Sequence, residues 1–203
     1  MLAELLGLLV PPRCALCACG CSSREQLCEA CESRLDRLRP RSAAITGVDH
    51  AWSAAPYDGA ARELVAGLKF AARLRLARRA AEAIAARAPP ELLAGSIVPV
   101  PAAPWRRRWR GFDPAEAIAA ALAVEAGLPI HRCLRRSQGR RQVGRPRAER
   151  LADPPRVQVV GSPPGHALLV DDVLTTGATL GACARALRTR GAERVTALTF
   201  ARS

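Results

Sequence analysis

The run Val170-Asp171-Asp172-Val173-Leu174-Thr175-Thr176-Gly177-Ala178-Thr179 sets two adjacent carboxylates directly ahead of a loop rich in hydroxyls. Carboxylates so placed accept hydrogen bonds from a vicinal diol, directly or through Mg²⁺, which takes oxygen ligands and bridges carboxylates to phosphates. The loop adds hydroxyls, backbone amides and a glycine for close approach, and a helix starting after it would offer its positive end to a phosphate. A few loop residues reach on the order of 10 Å, which is the span from a ribose diol to its own 5′-phosphate. Asp171, Asp172, Val173 and Thr175 to Thr179 therefore read as a ribose-phosphate site. Taken singly, the aspartates are a solvated strand exit and Thr176 a helix cap; only the combination carries chemistry. A receiver domain also places aspartates at strand ends, but needs no threonine-rich loop after them. A Walker A loop needs a lysine after its glycine, and here the residue is Ala178.

The second chemical constellation is at the other end of the chain. Of eight cysteines, six fall between Cys14 and Cys31, and such clustering favours a metal over a disulfide framework. Cys14-Ala15-Leu16-Cys17 and Cys28-Glu29-Ala30-Cys31 are two CxxC pairs separated by ten residues, each able to clasp one side of a tetrahedral ion. Thiolate ligands suit a closed, structural zinc site, and Cys19 or Cys21 could replace a member of the first pair. A head of about 40 residues can hardly fold on burial alone, so metal would supply much of its folding free energy. Disulfides are the lesser alternative, since cytosolic thiols stay reduced.

These sites need a scaffold, and from Trp52 onward short apolar runs alternate with Ala/Arg/Leu helical stretches, the signature of an α/β fold with a largely parallel sheet. Ile97 to Val100, Ala167 to Val170 and Val195 to Phe200 read as strands, the second delivering Asp171 and Asp172 where it leaves the sheet. Asp113 caps one helix, with Pro114 at its first position, Glu116 completing a capping box, Ile118, Ala121 and Leu122 on one face, and Gly127 closing it. A second helix carries Leu180, Cys183, Ala184 and Leu187 on one stripe and stops at Gly191, which assigns Cys183 to packing. The basic segment from Arg135 to Arg147 has the character of a loop, either functional or disordered. The basic run Arg34 to Arg41 suits a junction, dividing the chain into a cysteine-rich head, 1–41, and an α/β domain, 42–203.

Basic residues outnumber acidic ones 31 to 18 in 203 residues, a net charge of +13, and all but Lys69 are arginine. Arginine grips phosphate in bidentate fashion, so a polyanionic partner fits; an arginine- and alanine-rich composition from coding bias explains the excess equally well. Aromatic residues are few, three Trp, three Phe and one Tyr, which argues mildly against strong single-strand binding, Trp105 and Trp109 beside Arg106, Arg107, Arg108 and Arg110 being the exception. Met1 to Val10 reads as a short amphipathic helix and not a signal peptide, lacking a basic start and containing Glu4. Every long apolar segment is broken by Arg or Glu, so no membrane span is expected and the protein is read as soluble and cytoplasmic.

The segment Ala167 to Thr179 resembles the 5-phosphoribosyl pyrophosphate (PRPP) signature of type I phosphoribosyltransferases. The order of the remaining motifs resembles the ComF family from end to end: Pro11-Pro12-Arg13-Cys14, the CxxC pair, Val98-Pro99-Val100-Pro101, Arg110-Gly111-Phe112, then Gln142 with Arg147 and Arg150, and the signature. The resemblance implies a five-stranded parallel sheet flanked by helices with a smaller hood, and zinc on Cys14, Cys17, Cys28 and Cys31. It implies that Asp171 and Asp172 hold the ribose hydroxyls and Thr175 to Thr179 the 5′-phosphate. Pro101, Ala102 and Ala103 would neighbour pyrophosphate, with Arg110 and its neighbours either neutralising that group or forming a solvated face. Gln142, Arg145 and Arg147 would belong to a flexible loop that folds over the site. Many relatives have Asn-Gln where this chain has Asp113-Pro114, and the glutaminase domain of amidophosphoribosyltransferases is absent. The implied function is phosphoribosyl transfer from Mg²⁺·PRPP to an acceptor the sequence does not identify. The alternative is a non-catalytic PRPP- or nucleotide-binding protein acting in DNA uptake (competence) through single-stranded DNA or protein contacts.

Overall fold

In a computed structural model the chain is described over residues 13–21, 27–70, 75–136 and 155–203. The expected amphipathic helix at Met1–Val10 and the loop residues Gln142, Arg145 and Arg147 lie outside them. The central sheet has five strands in the order β1-β2-β7-β6-β3: β1 Arg41–Ile45, β2 Val48–Pro56, β3 Ser96–Pro99, β6 His166–Leu174 and β7 Arg194–Arg202. β2, β7, β6 and β3 are mutually parallel, as the alternating pattern predicts. β1 is the exception to the fully parallel sheet, pairing antiparallel with β2. Only Thr46 and Gly47 join the two strands, Gly47 at φ +85°, and a connection that short can make only a hairpin. A separate antiparallel pair, β4 Leu134–Arg136 with β5 Val157–Val159, flanks residues 137–154.

Both faces of the sheet are covered, which is why β6 reads as a continuous apolar run. Leu168 and Val170 face a core shared with α2 Gly59–Phe70, α3 Arg75–Arg87 and α5 Pro114–Ala126, through Leu64, Leu68, Leu76, Ile84, Ile118 and Leu122. Ala167 and Leu169 face the other core, built with α6 Ala178–Thr189 through Leu180, Cys183, Ala184 and Leu187, all four buried. Cys183 is thus a packing residue, and Cys133 lies in the same cluster. Asp113 caps α5 as expected, its Oδ1 accepting from the Ala115 amide at 3.1 Å, and Gly127 closes the helix in the left-handed region. Glu116 turns its carboxylate to Arg132 Nε at 2.6 Å.

The cysteine-rich head is packed onto this scaffold. α1, Glu29–Asp36, takes in Arg34 and so consumes the first part of the basic run read as a junction. Leu27, Cys31 and Leu35 are buried in the same cluster as α2 and α3. Polar clamps surround this seam: Arg34 forks onto Glu63 of α2 at 2.7 and 3.1 Å, Arg79 of α3 reaches Glu32 at 2.6 Å and Asp36 at 3.1 Å, and Arg87 Nη2 donates to the Leu35 carbonyl at 2.9 Å. The carboxylates keep between a third and two thirds of their surface in water, so solvent partly screens these pairs and the leucines dominate: each fully buried leucine contributes about 1.5–3 kcal/mol. Leu35→Ala is expected to destabilise the chain by about 2–5 kcal/mol in urea denaturation, whereas Arg34→Ala should move the midpoint far less.

Candidate functional site

The sequence ends the central strand at Val170; the structure carries it on to Leu174. β3 stops pairing at Val170, but β7 continues alongside, Asp171 opposite Thr199 and Leu174 opposite Arg202. The first charges therefore do not end the strand, because hydrogen bonding to β7 outlasts the apolar run. Asp171 and Asp172 sit on the overhang where β3 has already turned away, at the carboxyl end of the parallel strands, where ligands bind in open α/β sheets.

The two carboxylates have different surroundings. Asp172 forms an ion pair with Lys69 at the end of α2, Nζ to Oδ2 2.7 Å, with side chains 20% and 11% exposed. Asp171 Oδ1 accepts from the Asp172 amide at 2.8 Å. Burial, and then the charge of Asp172, push the Asp171 carboxyl well above the usual carboxylate range; the amide bond and Lys69 offset only part of this. The pair thus offers one carboxyl biased toward its neutral form and one anion already matched by a cation.

After Leu174 the chain turns through Thr175 and Thr176 into Gly177, the N-cap of α6, at φ +75°. From the position before the cap, Thr176 Oγ1 accepts from the Ala178 amide at 3.3 Å, so the cap itself is Gly177 and not Thr176. What crowds Gly177 is Ile45 of β1: an added Cβ would lie 3.2 Å from its side chain, and the backbone is already left-handed. Asp171, Thr175, Thr176, Gly177 and Thr179 border a shallow recess of about 30 Å³ at this helix start. A larger recess of about 420 Å³, bordered by His50, Trp52 and Arg194, opens at the starting ends of β2 and β7, away from the carboxylates.

The neighbouring turn is built to stay put. Ala102 donates its amide to Asp113 Oδ2 at 2.9 Å, so one carboxylate both caps α5 and pins the Pro101–Ala103 turn. Burial raises Asp113, its backbone donors offset this, and the charge of Asp172 adds to it. α4, Pro104–Arg110, carries Arg106, Arg107 and Arg108 to solvent. Arg110 is half-buried, 5.4 Å over the Phe70 ring, and its Nε is buried without a hydrogen-bond partner among the described residues. Burial lowers its pKa first, Arg106 lowers it further, and Asp172 and Asp113 pull the other way.

Three site residues escape a sequence reading. Lys69, Asp113 in its pinning role, and Arg136 at the end of β4 all fall in the field of the aspartate pair. Arg136 lies in the stretch read as a loop, but the structure pairs it with Val157. Lys69 did leave one signal, being the only lysine in the chain.

At the head, the Sγ atoms of Cys14, Cys17, Cys28 and Cys31 all lie within 4.8 Å of one another. Cys17 and Cys28 are 3.6 Å apart, close to the ~3.8 Å sulfur–sulfur edge of a tetrahedron with bonds of about 2.3 Å. The Leu16 amide points at Cys14 Sγ, 3.5 Å away. This donor set fits a zinc ion. Cys19 lies 3.1 Å from Cys17, whose Sγ donates to it, and stands outside the set of four.

Two outcomes are expected. Purified protein should carry about one zinc per chain by metal analysis, and Cys14→Ser should lower that occupancy and unfold the head. Asp113→Ala should cost about 1–2 kcal/mol in urea denaturation, through loss of the cap and the unpaired Ala102 amide.

No curated protein matches the chain significantly. Residues 110–203, from the end of α4 through the last strand, match the family model of the phosphoribosyl transferase domain. The C-terminal half thus carries a phosphoribosyl-transferase-like domain, on a mostly parallel α/β sheet flanked by helices, with a four-cysteine cluster at the N-terminal end.

Proposed function

We propose that this chain binds Mg²⁺·PRPP and transfers its phosphoribosyl group to an acceptor, as a ComF-type phosphoribosyltransferase. The observation that carries the reading is the continuous path from Asp171 and Asp172, at the carboxyl end of β6, into the N-terminus of α6, all within the residues that match the phosphoribosyl transferase domain. The two carboxyl groups would take the ribose hydroxyls, and Thr175 to Thr179, with the first-turn amides of α6, the 5′-phosphate. Oxygen donors suit magnesium, but Asp172 already faces Lys69 and Asp171 is biased toward neutrality. This fits an ion that arrives on the diphosphate better than a standing metal site; bound there, it would withdraw charge from the diphosphate.

In the transfer, the bond from the anomeric carbon to pyrophosphate breaks with its electron pair going to pyrophosphate, and the acceptor's lone pair forms the new bond. Arg110, half-buried in the field of Asp172 and Asp113, would be the cation that meets the departing charge. Gln142, Arg145 and Arg147, outside the described residues, are the segment proposed to cover the site and exclude water. No helix among the described residues is long and apolar enough to cross a membrane, and a cytoplasmic location is part of the proposal.

A second reading, binding without turnover in DNA uptake, is favoured by one surface. Trp109 and Phe70 are about 70% exposed, their rings 6.4 Å apart edge to face, and Arg106 stacks over Trp105. Aromatic faces among arginines suit unpaired bases or a protein partner. Calorimetric titration of PRPP with and without Mg²⁺, beside a folded Asp171→Asn/Asp172→Asn variant, separates the readings. Mg²⁺-dependent binding lost in the variant is the expected result. No PRPP binding, with single-stranded DNA affinity falling steeply as salt rises, would transfer the assignment to the second reading.

A further inference from the structure

The lone lysine of the chain is the side chain that meets the signature aspartate, and this juxtaposition goes beyond the ligand reading on which it rests. Three acidic groups, Asp113, Asp171 and Asp172, lie within electrostatic reach of one another at the end of β6, and the charge of Asp172 bears on both of the others. Arg110 and Arg136 act on them from a distance, whereas Lys69 touches: its Nζ is 2.7 Å from Asp172 Oδ2, with most of both side chains out of water. An ion pair so placed is screened less than the exposed Arg34–Glu63 pair of the head.

Delivery of the ammonium is rigid. Lys69 stands in the last turn of α2, where the carbonyl end of the helix favours a cation. The helix is seated by Leu64, Val65 and Leu68, each 1% exposed or less, and held from the head by the Arg34–Glu63 fork. Residue type matters as well. Every other basic residue of the 31 is arginine, so composition does not account for a lysine here. A compact point charge meets one carboxylate oxygen and leaves the other to a ligand; a planar guanidinium tends to take both oxygens.

We propose that Lys69 is a positioning residue of the ribose-phosphate site, neutralising Asp172 and fixing its carboxylate so that its second oxygen accepts from a sugar hydroxyl. The residue acts through Asp172, so its effect on ligand binding should vanish when that carboxylate is removed. A strut that only joined α2 to β6 would lower the thermal midpoint and leave the affinity of the folded protein for the ligand unchanged.

The test is a double-mutant cycle read by calorimetry with Mg²⁺·PRPP, comparing the full-length wild type with Lys69→Met, Lys69→Arg, Asp172→Asn and Lys69→Met/Asp172→Asn. Zinc content and thermal midpoint serve as folding controls. Lys69→Met is expected to weaken binding by about ten- to hundredfold, Lys69→Arg to recover only part of the loss, and the double variant to bind no more weakly than Asp172→Asn alone. Binding by Lys69→Met within about twofold of wild type, or losses that add in the double variant, would overturn the inference while leaving the proposed function intact. Failure of the wild type to bind PRPP would remove both. Should Lys69→Met not fold, Lys69→Gln takes its place under the same criteria.

Discussion

The pairing of β6 with β7 beyond the reach of β3 is the constraint on which the site depends. A buried parallel strand normally ends with its apolar residues, because an unpaired backbone and a charged side chain cannot both be left dry. Here β7 pairs with Asp171, Val173 and Leu174, and the Asp172 amide between them donates to Asp171 Oδ1, so both carboxylates can stay on the strand. The α6 N-terminus follows within a few residues, so the two carboxyl groups and the threonine-rich helix start are set by one uninterrupted stretch of backbone.

Such a site creates its own electrostatic difficulty, and the surrounding elements answer it. Three acidic groups converge where water is scarce, and the response differs at each. Asp113 is held by backbone amides, Asp172 by a lysine, and Asp171 yields toward its neutral form. Asp113 also ties the Pro101–Ala103 turn to the start of α5, so the same residue that begins a helix fixes one wall of the site. Asp113 is thus put to work holding backbone.

The cysteine-rich head is more than an appendage in this arrangement. Its second CxxC pair opens α1, α1 lies against α2 and α3, and α2 ends on Lys69. Leu27 and Leu35 continue the main core into the head, and the charged clamps around them set its orientation more than its stability. The boundary suggested by the basic run Arg34–Arg41 marks a change in composition, while packing crosses it.

What could be read from the residues alone was whatever neighbours in sequence decide. The two CxxC pairs, the capping of α5 by Asp113, the buried stripe of α6 and the order of aspartates, threonines and glycine are local, set by hydrogen-bond reach and helical period. A lone lysine was visible too, but without a role, since nothing nearby in the chain explains it. Tertiary structure decided the rest: that β6 runs on past its apolar stretch, that Lys69 meets Asp172, that Arg136 belongs to a strand beside the site, and that the head shares the core. These are contacts between elements far apart in the chain, fixed by which strands pair and which helix faces are buried, and side-chain charge expresses itself only after that packing has brought the partners together.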